Sequence, residues 1–338
     1  MRYLLLPISG AYALVIFIRN RLFDRHILPS QKVPKSIGVG NLSMGGTGKS
    51  PLSIYLAEFL LKNNYLPALL SRGYGRVSKG FIEVQRNALS IAVGDEPLMF
   101  KQRFKTKAHV FVCENRINGT EKIRNKHPES VIIYDDIFQH RKVNPSFLVL
   151  TTPYNDLFLD DHILPVGRLR EPISSAKRAD VVMITKSPQD ISDERIHKIK
   201  QRFERFKKPI FFSSVSYGNM VPFEKQNKTV RNILLVTGIA DPSHLINHLE
   251  NKFSIETISF SDHHVYTASD LNKIHEKFGT FDSEKTIILT TEKDMVRLSK
   301  FKALISKGDY PWYYQPMNIH IREESDFQSL IKKHVREI

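Results

Sequence analysis

Short apolar runs punctuate the chain, and amphipathic stretches separate them. SIGVGN (36–41), LPALLSR (66–72), HVFVCE (109–114), SVIIYDD (130–136), SFLVLTT (146–152) and ADVVMITK (179–186) are nearly continuous in Val, Ile, Leu and Phe rather than alternating. Strands covered on both faces by helices read this way, so the pattern predicts an α/β fold with a mostly parallel sheet. Helices are expected to begin near Ser50, Pro97 and Ile191. The polar stretch EKQNKTVR (224–231) reads as a boundary, after which the rhythm restarts in NILLVTGIADPSHLINHL, FSIETISFSDHHVY and KTIILTTEKDMVRL. PWYYQPMNIHI (311–321) is strand-like and DFQSLIKKHVREI (326–338) helical, and the runs at 209–218 and 311–321 are expected to pair as a two-stranded bridge between the units.

The first segment breaks this rhythm. Residues 3–18 are apolar apart from Ser9, and Arg19, Arg21 and Arg25 follow. As a helix this run reaches only about 24 Å, short of the ~30 Å hydrocarbon core of a bilayer. A helix embedded in or lying on the membrane, with its arginines at anionic headgroups, is the favoured expectation. A buried core helix is one alternative. A signal peptide is another, although the cleavage-like AYA sits inside the apolar run rather than after it.

Charge narrows the partner. Fifty Lys and Arg against 35 Asp and Glu give a net charge of +15, which calls for an anion: nucleic acid, an acidic membrane surface or a phosphorylated substrate. No nucleic-acid module is recognisable, and the apolar start is hard to explain in such a protein. Lys32, Lys35, Arg72, Arg76 and Lys79 are candidates for a basic face toward anionic lipid. The single cysteine, Cys113, excludes an intrachain disulfide, fits a reducing compartment and sits in a strand-like setting that suits packing.

Chemistry enters with VGNLSMGGTGKSPL (39–52), which follows a predicted strand and precedes a predicted helix. Gly45, Gly46, Thr47, Gly48, Lys49 and Ser50 form a phosphate-gripping loop, although the glycine of the strict G-x-x-x-x-G-K-[ST] spacing is replaced by Ser43. Lys49 would reach the β- and γ-phosphates of a nucleotide, and the Ser50 hydroxyl would ligate Mg²⁺. A metal also needs carboxylates, which Asp135 and Asp136 supply at the end of SVIIYDD. In VGDEPLMF, Asp95 or Glu96 either caps the helix that Pro97 opens or takes a proton from an attacking hydroxyl. In SFSDHHVY, His263 or His264 is a candidate assistant to that base. The main alternative is a membrane-associated switch ATPase or GTPase acting as a binding module. Two departures disfavour it: ITKSPQD stands where a GTPase would show N-K-x-D, and Met44 where partition ATPases carry an extra lysine.

Eight segments in this order, GVGNLSMGGTGKS, LSRGYGR, VGDEP, DDIFQH, GRLREP, VTGIADP, SDHH and TEKDMVRL, resemble the tetraacyldisaccharide 4'-kinase family, the lipid A 4'-kinases of the bacterial inner membrane. The likeness runs from the apolar start to near residue 321. It implies ATP-dependent phosphorylation, with Mg²⁺, of the 4'-hydroxyl of a lipid-linked glucosamine disaccharide 1-phosphate at the cytoplasmic face of the inner membrane. It also implies two α/β units with the active site in their cleft. The partners implied are an anionic glycolipid and a lipid surface; no nucleic acid and no required protein partner is evident. By the same resemblance, Lys49 and Ser50 serve ATP and Mg²⁺, and Asp135 and Asp136 are the acidic pair. Asp95 matches the general base and His263 its partner. Tyr74, Arg116, Gln139, His140, Arg170 and Glu171 match positions near substrate or phosphate. The expected organisation is a membrane-associated helix over 1–25, a P-loop NTPase-type domain over 26–225, a smaller α/β domain over 226–321 and a terminal helix over 322–338.

Overall fold

The apolar runs become the middle of a large sheet because each is buried on both faces. In a computed structural model of the chain, residues 2–223, 230–307 and 310–336 are described; most of the boundary stretch EKQNKTVR therefore lies outside the described residues. After α1 (Leu6–Asp24) come β1 (Gln31–Asn41), α2 (Lys49–Lys62) and β2 (Pro67–Ser71). A long strap holding β3 (Ile82–Glu83) and α3 (Ser90–Val93) leads to α4 (Asp95–Phe104), β4 (His109–Val112), α5 (Arg116–Lys126) and β5 (Val131–Asp135). Next follow β6 (Val143–Pro153), β7 (Val181–Thr185), α6 (Asp193–Phe203) and β8 (Ile210–Tyr217). The second unit contains β9 (Val221–Pro222), β10 (Asn232–Thr237), α7 (Ser243–Glu250), β11 (Ser254–Ser259), α8 (Ala268–Phe278), β12 (Thr286–Thr291), α9 (Glu292–Leu298), α10 (Lys302–Lys307) and β13 (Trp312–Gln315). The chain then returns through β14 (Met317–Ile321) and α11 (Glu324–Arg336).

Nine strands order as β14-β8-β7-β6-β1-β5-β2-β4-β3, parallel except at the two edges. Five order as β11-β10-β12-β13-β9, parallel except β9. The large sheet is covered on both faces. Leu52, Leu56 and Leu98 pack one side with Phe327, Ile331 and Val335, while Ile123, Ile196 and Phe203 pack the other. The terminal strand and helix thus belong to the larger unit, and the smaller sheet ends at Gln315 rather than near the expected 321. Two adjacent crossings join the units. Ser213–Tyr217 pairs antiparallel with Met317–Ile321 in the large sheet, and Val221–Pro222 pairs antiparallel with Tyr313–Tyr314 in the small one. Pro316 breaks the run 311–321 into two strands, one for each sheet.

The register of β1 decides where a ligand can sit. Val39 stands beside Asp135 of β5 on one side and Val149 of β6 on the other. Chain connectivity leaves β1 in opposite directions at this point, the kind of strand-order reversal that opens a crevice at the carboxyl ends of a parallel sheet. A Cβ on Gly40 would lie 2.6 Å from the Phe138 Cβ, so only glycine lets the acidic loop approach β1 so closely.

Helix α1 runs to Asp24, longer than the apolar run alone, and its length and composition would suffice to cross a membrane. Only 17% of its apolar window is buried, which excludes a core helix. Leu14, Val15, Phe17 and Ile18 face outward. Its other side is bonded to the large unit: Ser9 Oγ donates to the Ile163 carbonyl (3.0 Å), Tyr12 to the Arg170 carbonyl (3.1 Å), and Asn20 Nδ2 to Glu171 Oε2 (2.9 Å).

Candidate active site

The phosphate loop closes on itself before α2 begins. Gly48 sits at φ +79° as the residue before Lys49, and a Cβ there would press on Thr185 at 3.0 Å. The hydroxyl of Thr185 donates to the Thr47 carbonyl (3.0 Å), and the Thr47 and Thr151 hydroxyls share a hydrogen bond (3.0 Å). β6 and β7 therefore hold the loop from below. Lys49 and Ser50 open α2, where backbone N–H groups and the helix dipole favour an anion.

The acidic pair lies at the end of β5, with its two members in different environments. Asp135 is buried and accepts from Ser53 Oγ (2.9 Å). Burial pushes its pKa up to about 7, with Glu96 and Asp136 adding to the rise. Burial would raise Asp136 too, yet Lys49, 3.8 Å away, and a two-pronged pair with Arg170 (2.9 and 3.3 Å) hold it down at about 2. Asp136 adopts φ +52°, a left-handed conformation that costs an L-residue about 1 kcal/mol. These two carboxylates and the Ser50 hydroxyl are hard oxygen donors of the kind Mg²⁺ takes.

Arg116 is nearly fully buried, and its Nε and Nη2 have no hydrogen-bond partner. Burial lowers its pKa to about 10, against the opposing pull of Asp135 and Asp136, so it stays charged. An unsatisfied guanidinium beside the acidic pair is a feature that a phosphate would explain. Burial and the nearby Arg116 and Arg72 likewise lower His140 to about 4, leaving it neutral. Gln139 donates from Nε2 to the Asn41 carbonyl (2.9 Å), while its main-chain carbonyl accepts from Arg19 of α1 (2.6 Å).

Asp95 and His263 come together across the cleft. Asp95 is the first residue of α4 in the larger unit, with Gly94 at the N-cap, and it sits with Glu96 in the helix's first turn. Its carboxylate accepts from Arg297 Nε of α9 (2.7 Å) and lies 3.6 Å from His263 Nδ1, beyond hydrogen-bond range. Arg297 Nη2 reaches His263 Nδ1 (3.2 Å), and Lys293 Nζ approaches Nε2 (3.4 Å). Both neighbours are donor-only cations, and a neutral imidazole has a single acceptor nitrogen, so the ring can accept from only one of them at a time. His264 is occupied elsewhere, bonded to Asp270 (3.0 Å) and stacked on Phe260. Of the tandem histidines, His263 is the one beside Asp95. Tyr74, strongly exposed on the strap, meets the edge of His263 with ring centroids 6.3 Å apart.

Not every expected residue lines the cleft. Glu171 is completely buried and accepts from Arg178 (2.7 Å) and Asn20 (2.9 Å), so here it anchors α1 rather than facing a ligand. Arg76 is drawn inward to Glu114 (2.7 Å), away from the expected basic face. Cys113 is buried packing. Conversely, Arg297 escaped notice within TEKDMVRL. Its partner Asp95 lies 202 residues away, and only its position after the strand NILLVTG's neighbour β12 offered any signal.

The family model for tetraacyldisaccharide-1-P 4'-kinase matches residues 1–336. The chain belongs to this kinase family. A tetraacyldisaccharide 4'-kinase of Bacteroides thetaiotaomicron is 38% identical over 98% of this chain and 93% of its own, and one of Flavobacterium johnsoniae 38% identical over 100% and 98%. A crystal structure of LpxK from Aquifex aeolicus in complex with ATP superposes with a TM-score of 0.76 at 27% identity, covering 99% of each chain. The family assignment and the architecture agree: a P-loop α/β unit, a smaller α/β unit and an apolar N-terminal helix.

Proposed function

We infer that this protein transfers the γ-phosphate of ATP to the 4'-hydroxyl of a lipid-linked glucosamine disaccharide 1-phosphate, the acylated precursor of lipid A. The observation that carries the reading is the meeting of Asp95 and His263 between the two units, next to a phosphate loop and acidic pair. Glu96, the neighbour of Asp95, is close enough to Asp135 to raise its pKa, which ties the start of α4 to the metal pair.

The division of labour follows from the chemistry. The phosphate loop and Lys49 hold the β- and γ-phosphates; Ser50, Asp135 and Asp136 would hold Mg²⁺, which neutralises charge on those oxygens. Arg116 and Arg170 add fixed positive charge where negative charge spreads in the transition state. The sugar oxygen forms a bond to the γ-phosphorus as the bond to the ADP oxygen breaks. Asp95 takes the hydroxyl proton, and His263 is the neighbouring group placed to assist it. Detergent-solubilised protein given ATP labelled in its γ-phosphate and tetraacyldisaccharide 1-phosphate should yield a labelled bisphosphate lipid. Hydrolysis of ATP without label in lipid would replace this reading with the switch ATPase.

The N-terminal helix is assigned to the membrane interface rather than to a crossing. Bonds from Ser9, Tyr12, Arg19 and Asn20 tie it lengthwise to the larger unit, leaving one apolar flank for lipid. Val15→Glu combined with Phe17→Glu leaves those bonds intact and should weaken binding to anionic vesicles by roughly 10–100-fold, as expected for two lost apolar contacts. Unchanged cosedimentation with vesicles would refute the interfacial helix.

A further inference from the structure

At the far edge of the large sheet, outside the nucleotide cleft, one carboxylate and two imidazoles converge. Glu83 lies on β3, His109 opens β4, and His127 ends α5. One ring nitrogen of each histidine and one oxygen of Glu83 all lie within 4.8 Å of one another, and all three residues are half-buried. We propose that Glu83, His109 and His127 form a binding site for a borderline divalent cation of the zinc type, which clips the strap to the sheet edge.

Three observations support the site. First, His109 Nδ1 and Glu83 Oε1 are 3.3 Å apart. That is long for a charge-assisted hydrogen bond, normally about 2.7–2.9 Å. It matches the edge of a tetrahedron whose metal–ligand bonds are about 2.0–2.1 Å, which works out near 3.3 Å. Second, His127 Nε2 is buried and has no hydrogen-bond partner. Third, Lys126 pairs with Glu83 through Oε2, so the other oxygen remains turned toward His109. Phe111 flanks both rings, and Phe81 stacks on Phe111, giving the site an apolar shell. The imidazoles now stack with centroids 3.7 Å apart and planes 28° apart, so a shared metal requires one ring to turn out of the stack until both in-plane lone pairs converge on it.

The ligand set separates this site from the nucleotide's metal. Two imidazoles and one carboxylate suit Zn²⁺ or Co²⁺, whereas Mg²⁺ prefers oxygen donors throughout. Three protein ligands leave a fourth position for water. Because β3 is the strap's attachment to β4, through the Ile82–Val112 and Glu83–Phe111 pairs, a cation here fixes the segment that also carries Tyr74.

Co²⁺ titration of the full-length protein, with excess MgATP present to occupy the phosphate loop, tests the proposal. One Co²⁺ per chain with tetrahedral d–d absorption is expected. His109→Gln, His127→Gln and Glu83→Gln should each weaken it by about tenfold or more. Zn²⁺ at a hundredfold excess over its wild-type dissociation constant should raise the wild-type Tm by about 2–4 °C, an increment that Glu83→Gln cuts by about half or more. Absence of bound Co²⁺, or an unchanged spectrum and affinity in all three variants, would overturn the site. The Tm arm decides the matter if a histidine variant folds poorly.

Discussion

Lys49→Ala is expected to lose about 10³-fold or more of phosphoryl transfer while keeping its fold. The ammonium is the one mobile cation of the phosphate loop that reaches the acidic pair, 3.8 Å from Asp136, and no covalent step exists to substitute for lost charge stabilisation. Folding should tolerate the change. Asp136 keeps its two-pronged pair with Arg170, so no carboxylate is left buried and alone, and the loop glycines keep their conformations. Label transfer from ATP to the lipid acceptor measures the loss, and an unshifted thermal transition establishes that the fold persists. Near-normal transfer would mean that the loop does not bind the reacting phosphates.

The same loop shows what local sequence can carry. A strand of buried apolar residues, a glycine-rich turn and a following helix form within about twenty residues, so GVGNLSMGGTGKS is legible without any knowledge of the fold. The continuous runs that became β1, β2, β5, β6 and β7 are legible for a related reason: a strand covered on both faces has no polar side to display. Legibility ends where a position depends on distant partners. The run 311–321 has one local character but serves two sheets, because Pro316 ends one set of pairings and Tyr217 and its neighbours supply the next. Glu171 follows Arg170 in the chain, yet the two side chains go opposite ways: Arg170 to Asp136, Glu171 to Asn20 on α1. An N-terminal helix supplies that burial from about 150 residues upstream, as the separation of 151 between Asn20 and Glu171 records. Arg297 is the same case at the centre of the cleft.

Asp95→Asn should lower kcat by about 10²-fold or more, the scale of losing a general base, with little change in the KM for ATP. The structure adds a complication, because Asp95 is also an ion-pair partner of Arg297 and so helps hold the two units together. A second tie between the same elements, Arg103 of α4 to Glu292 of α9 at 3.0 Å, should keep the cleft closed in the variant. Arg297→Met removes the donor shared by Asp95 and His263 and is expected to reduce kcat as well. Arg297→Lys preserves charge but not the fork that touches both, and should recover only part. The double variant separates the roles. If Arg297 acts by orienting Asp95 and His263, then adding Arg297→Met to Asp95→Asn costs far less than it does alone, since groups working as one unit are not additive. Full additivity would place Arg297 in a separate role. A normal kcat for Asp95→Asn would reduce the carboxylate to an interdomain tie and leave proton removal to another group.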